Sequence, residues 1–163
     1  MVDINDKKET ERQALAQANI YIPKSLGIYL EENNFSVSKG PVFQTAIIAG
    51  TMAVKNTALL VPFCHSITIS SININIKLQT QELIYIYCQV KTCAKTGVEM
   101  EALTGASIAA LTIYDMCKSY SSELVITNIE LVEKTGGKRD YKRPSAGGRQ
   151  QLTDEIPQGS PIS

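Results

Sequence analysis

Polar and apolar positions alternate most plainly over residues 67–95. In ITISSININIKL, Ile67 and Ile69 share one parity while Ile72, Ile74, Ile76 and Leu78 share the other, so the phase slips at Ser70-Ser71. Strand side chains point to opposite faces in turn, and the pattern predicts a strand with a bulge or kink at the two serines. The segment from Thr80 to Glu82 supplies a turn. ELIYIYCQVKTCAK, β-branched and aromatic, supplies the second strand of an antiparallel hairpin. ELVITNIELVEK, residues 123–134, reads as a further strand stopped by Gly136-Gly137.

Elsewhere the period lengthens. VFQTAIIAGTMAVKNTALL, residues 42–60, fits a helix with a small-residue stripe of Ala46, Ala49, Gly50 and Ala53, which lets another backbone approach closely. SLGIYLEENN reads as a shorter helix ended by Asn33-Asn34. GVEMEALTGASIAALTIYDMCKSY, residues 97–120, begins extended and becomes a long helix. TERQALAQANIYI, from Thr10, fits either a short helix or a strand. FSVSKGP reads as a loop, VPFCHS as a tight connection, and residues 1–10 as a polar lead. The expected fold is α+β, an antiparallel sheet with helices packed on one face. From Arg139 the chain turns to Gly, Pro, Ser, Gln and charge. Such a segment buries too little apolar surface to offset its ordering entropy. The organisation expected is one domain over residues 1–138 and a disordered tail over 139–163.

Composition narrows the function. The 163 residues are 44% hydrophobic and 20% charged, ample for a core without disulfides or metal. Sixteen basic residues balance sixteen acidic ones, which argues against a general nucleic-acid binder. No apolar run approaches the ~20 residues of a membrane span. The charged N-terminus lacks a signal core, so a cytoplasmic protein with reduced thiols at Cys64, Cys88, Cys93 and Cys117 is expected. A single histidine, His65, leaves little for a zinc site.

Chemistry concentrates in few places. If residues 98–101 are extended, Glu99 and Glu101 share a face and raise each other's proton affinity; solvated acids at a helix start are the bland reading. Asp115 and Lys118 are three apart within an apolar helix and pair on one face, either as a surface ion pair or as part of a site. His65 lies at a turn into a strand, where a structural role competes with a functional one. Lys39-Gly40-Pro41 and the loop Lys134-Thr135-Gly136-Gly137-Lys138 combine lysines with exposed amides suited to phosphate. On one continuous helix, Glu101 and Asp115 stand ~21 Å apart. A small ligand does not span that within one chain, so either the two serve different purposes or the site joins two subunits.

Four stretches carry a resemblance: MVD, KGPVFQTAIIAG with VPFCH, KTGVEMEALTGASIAALTIYDMCK, and EKTGGK. Over about residues 1–138 the chain resembles the MoaC family, the cyclic pyranopterin monophosphate synthases of molybdenum cofactor biosynthesis. The resemblance implies a ferredoxin-like arrangement and a homohexamer, a trimer of dimers with intersubunit active sites. It implies a lyase that converts (8S)-3′,8-cyclo-7,8-dihydroguanosine 5′-triphosphate to cyclic pyranopterin monophosphate and diphosphate. By that resemblance Lys39, His65, Glu99, Glu101, Asp115 and Lys118 serve catalysis. Arg12, Cys64, His65, Glu99, Met100, Glu101, Lys134 and Lys138 bind substrate. No resident metal is implied; Mg2+ accompanying the triphosphate is compatible. Pro41 stands where the family has Asp, and Ser66 where it has Pro, which alters loop geometry around Lys39 and His65. The alternatives are a non-catalytic nucleotide-binding or scaffold protein of this fold, and a cyclase or hydrolase acting directly on GTP.

Overall fold

A computed structural model describes residues 1–144. The elements run β1 (Thr10–Tyr21), α1 (Lys24–Glu32), β2 (Ser36–Val37), β3 (Gly40–Pro41), α2 (Val42–Lys55) and α3 (Thr57–Leu60). They continue with β4 (Ser71–Thr80), β5 (Leu83–Ala94), α4 (Glu99–Cys117), β6 (Val125–Thr135) and β7 (Tyr141–Lys142). The main sheet has the order β4-β5-β1-β6-β7, antiparallel throughout, and α2 and α4 pack on it. The fold is α+β with a ferredoxin-like arrangement, as the patterning and the resemblance implied.

The undecided segment from Thr10 is the central strand. Ala14, Ala16, Ala18 and Ile20 are fully buried under α4, opposite Val90, Cys88, Ile86 and Ile84 of β5. Alanines at these positions let the helix lie close to the sheet. Its alternation was hard to read because Leu15, Gln17 and Asn19, on the other face, are also buried. Pairing with two neighbours overrides the helix propensity of the Ala-Leu-Ala run.

The serine pair marks where β4 begins rather than a bulge inside a strand. Ser70 donates its N–H to the Lys91 carbonyl at 2.9 Å, and residues 67–70 lead irregularly into the ladder. The expected loop at residues 35–41 is a miniature hairpin in which Val37 pairs with Gly40 around Ser38-Lys39. Gly40 has φ +112°, a conformation that favours glycine. Phe35 stacks on Phe43 at 4.6 Å and roots the hairpin.

Ordered contacts with the sheet continue a few residues past 138. Tyr141 and Lys142 pair with Lys134 and Glu133 of β6, and Arg143 binds Glu130 at 3.1 Å. Tyr141 and Lys142 thus extend the sheet as β7, and the Arg143 N–H bonds the Val132 carbonyl, covering backbone groups that β6 would otherwise expose. The rest of the expected tail, residues 145–163, lies outside the described residues. All four cysteines are free thiols. Cys88 and Cys117 are core groups, with thiols pushed by burial to about 12 and about 11; the Lys39 charge opposes the shift at Cys117.

The small-residue stripe of α2 meets α4 directly. A Cβ on Gly50 would sit 2.8 Å from the Gly105 carbonyl oxygen and 2.7 Å from Ile74 Cδ1, and one on Gly105 2.6 Å from Val54 Cγ2. Gly50→Val is expected to fold but to lose about 1–3 kcal/mol, because the backbone contact cannot yield. Chemical denaturation at equilibrium measures this; an unchanged midpoint would show that the two helices separate freely.

Candidate active site

Helix α4 carries reactive groups at both ends. Its N-terminal turn follows Val98, whose carbonyl accepts the Ala102 N–H at 3.1 Å. Because the chain is helical from Glu99, Glu99 and Glu101 do not share a face as an extended segment would require. They diverge by roughly 200° about the axis. Glu99 reaches Lys134 on β6, Oε1 to Nζ 2.8 Å. Glu101 is buried, at 4% exposure.

The divergence separates their acidities. Burial pushes Glu99 upward. Lys134, its own backbone amide and the Arg12 charge outweigh that, so its carboxyl lies below the ordinary value. Burial lifts Glu101 above its usual value, its own amide opposing and the Glu99 charge adding to the rise. Burial, and secondarily the Glu101 charge, likewise raise the Cys64 thiol. Arg12, on β1, donates Nε–H to the Ala94 carbonyl at 3.2 Å and Nη2–H to that of Lys95 at 3.4 Å. A Cβ on Gly137 would lie 3.2 Å from Arg12 Nη1, so the Gly136-Gly137 loop rests on this guanidinium. Lys138 is exposed in that loop and Met100 is exposed on the first turn of α4.

The C-terminal end carries a second cluster. Asp115 accepts Lys39 Nζ at Oδ2, 2.8 Å, and Lys118 Nζ at Oδ1, 2.7 Å; Lys39 also binds the Asp115 backbone carbonyl at 2.8 Å. An aspartate in the last turn of a helix opposes the helix dipole. The two ammonium groups offset this and hold its carboxyl down to about 2, Lys118 contributing most. Asp115 in turn raises Lys118, which stays protonated. Tyr29 and Tyr120 join here, their hydroxyls 3.3 Å apart, and Ser38 donates its N–H to Tyr120 Oη at 3.4 Å.

The structure therefore brings Arg12, Glu99 and Lys134 together, with Glu101 on the same turn of α4; Cys64 feels the Glu101 charge, and among the described residues no contact ties His65 to this end. It separately joins Lys39, Asp115 and Lys118. It does not bring the two sets together within one chain: sixteen residues of helix are ~24 Å. Neither set lines the cavity of about 330 Å³ bordered by Glu11, Gln13, Ser71, Lys91 and Cys93, although Arg12 touches its wall. Sequence reasoning missed Gly97 and the tyrosines. A Cβ on Gly97 would collide with the Glu99 carboxylate, so glycine makes room for the acid to fold back. Its place between Lys-Thr and Val in front of two acids was the available signal. For Tyr120 the signal was an aromatic two residues beyond Lys118.

The raised Glu101 pKa has a stability consequence. Above its ordinary value of 4.5 the unfolded carboxyl has lost its proton while the folded one retains it, so stability falls as pH rises through the folded value. Glu101→Gln, which mimics the protonated acid, is expected to gain thermal stability over the parent as pH rises from 4 to 7. Melting curves across that range test this. A gain that shrinks with pH would reverse the assignment.

Comparison with known proteins fits these clusters into a family. Residues 1–137 match the MoaC family. The "Cyclic pyranopterin monophosphate synthase" of Xanthomonas axonopodis pv. citri is 48% identical over 140 residues, 86% of this chain and 85% of that protein. The "Molybdenum cofactor biosynthesis bifunctional protein" of Synechocystis sp. is 56% identical over 147 residues, 88% of this chain but only 42% of that protein. "Molybdenum cofactor biosynthesis protein 1" of Dictyostelium discoideum is 47% identical over 154 residues, and the chain covers 24% of its length. With a match that takes in both ends of α4 and the loops facing them, the chain belongs to the MoaC family.

Proposed function

We propose that this protein is a cyclic pyranopterin monophosphate synthase of molybdenum cofactor biosynthesis. It converts (8S)-3′,8-cyclo-7,8-dihydroguanosine 5′-triphosphate to cyclic pyranopterin monophosphate and diphosphate. The observation that carries the reading is the pair of charged clusters at the two ends of α4, each pairing cations with carboxylates. The substrate offers roughly four negative charges on its triphosphate, and Arg12, Lys39, Lys134 and Lys138 supply cations for it. Ring opening and reclosure need an acid and a base. The unlike environments of Glu101 and Asp115 raise the proton affinity of one carboxyl and lower that of the other. Lys118, held protonated by Asp115, presents its ammonium to the reacting part of the substrate, and Asp115 holds it in place. His65 and Cys64 line the base, and Met100 offers an apolar contact. Cations placed around the leaving diphosphate stabilise its developing charge.

The site is built between two subunits, with one protomer giving the Glu99–Glu101 end and its partner the Lys39–Asp115–Lys118 end. Two features support this. The helix separates the sets by ~24 Å. Ile48 and Met52 on α2, Leu59 and Leu60 on α3, and Phe63 after it are exposed large apolar side chains suited to burial against another copy. A homohexamer arranged as a trimer of dimers follows from the family resemblance, and cytoplasmic residence suits its biosynthetic role. Mg2+ could accompany the triphosphate as part of the substrate; among the described residues no group of three His, Cys, Asp or Glu gathers.

Lys39→Ala, Asp115→Ala and Lys118→Ala are each expected to abolish diphosphate release from the cyclised triphosphate while circular dichroism and assembly stay unchanged. Plain GTP binds the parent and is not converted. Near-normal turnover by folded Lys118→Ala would overturn the assignment. Mixing inactive Lys118→Ala with inactive Glu101→Gln restores one intact site in each mixed dimer, about a quarter of parental activity if protomers exchange freely. No recovery after verified exchange would place both clusters in a single-chain site.

A further inference from the structure

We infer that Tyr120 is a positioning residue: its hydroxyl holds the Ser38-Lys39 turn against the end of α4, and Tyr29 braces it there. The inference rests on the placement of Lys39 in the substrate site proposed above.

The geometry carries the argument. The β2–β3 hairpin has only two residues at its tip, Ser38 and Lys39. Its root is fixed by Val37 in the core and by Phe35 stacked on Phe43. The tip is tied to α4 by two bonds from Lys39 to Asp115 and by one from the Ser38 N–H to Tyr120 Oη. These ties differ in kind. The ammonium of Lys39 must leave Asp115 to meet an anion, so its bonds weaken as substrate arrives. The Ser38–Tyr120 bond joins an amide to a phenol and stays made while Lys39 moves. It keeps the Lys39 backbone in place while only the side chain redirects, which limits the conformational freedom lost on binding.

Tyr120 is itself constrained. Its N–H binds the Cys117 carbonyl at 2.9 Å, continuing the last turn of α4. Its ring lies 4.9 Å from that of Tyr29, and the hydroxyls meet at 3.3 Å. Tyr29 belongs to α1, so the latch links three elements: α1, the hairpin tip and the end of α4. It supports a loop in which Pro41 leaves no side-chain donor or acceptor beside Gly40.

The test compares Tyr120→Phe, which keeps the ring and loses the hydroxyl, in the parent and in Lys39→Ala. Diphosphate release from the cyclised triphosphate gives kcat/KM, and calorimetry gives the affinity for GTP. Tyr120→Phe is expected to lower kcat/KM by about three- to tenfold, the worth of one neutral hydrogen bond, at unchanged melting temperature. GTP affinity should fall by a similar factor in the parent and by no further factor in Lys39→Ala, because Tyr120 acts through Lys39. Tyr29→Phe should give a smaller loss that does not add to that of Tyr120→Phe. Parental kcat/KM in Tyr120→Phe, with Lys39→Ala inactive, overturns the latch. So does a loss of GTP affinity that persists undiminished in Lys39→Ala. Normal turnover in folded Lys39→Ala instead overturns the site assignment, and the inference with it.

Discussion

The close contact of α4 with the sheet and with α2 is the constraint on which the rest depends. Ala102, Ala106, Ala109 and Ala110 are fully buried, and Gly105 faces the backbone of α2. Nothing large separates the layers, so the helix has little room to slide or tilt. Its two ends are therefore fixed points, and the charged groups they carry inherit that fixity. The loops with their lysines then come to the helix: the Lys39 hairpin to one end, the Gly136-Gly137 loop and Lys134 to the other.

The two ends treat their carboxyl groups differently. Asp115 sits in the open between two ammonium groups and stays ionised far into acid. Glu101 is sequestered beneath the first turn and favours its proton. Acid–base chemistry needs such an inequality, and a single helix provides it by burying one end of its charge pattern and exposing the other.

Much of the architecture was readable from residue order. The β4–β5 hairpin announced itself by alternation, and α2 and α4 by their period. β1 did not, because alternation disappears when both faces of a strand are covered, as Leu15 and Asn19 beside Ala14 and Ala18 illustrate. Ser70-Ser71 looked like a bulge because a change of parity does not say whether a ladder is interrupted or only beginning. At the site, the residue types were legible and the partners were not. Glu99 and Glu101 were read as facing one way on the premise of an extended segment over 98–101, but the helix begins at Glu99, inside that segment. Lys39 and Asp115 are 76 positions apart in the chain, and no local pattern pairs them. Tyr120 meets Ser38 across 82 positions for the same reason.

The dense seam between α2 and α4 also limits how the chain can vary in length. Removing one residue between Ala102 and Tyr114 would turn one end of the helix by ~100° against the other and draw it in by ~1.5 Å. Gly105 would leave its place against α2, and Asp115 would leave Lys39. A change of length inside α4 would thus break both contacts at once, so the span of the helix acts as a fixed gauge between its two ends.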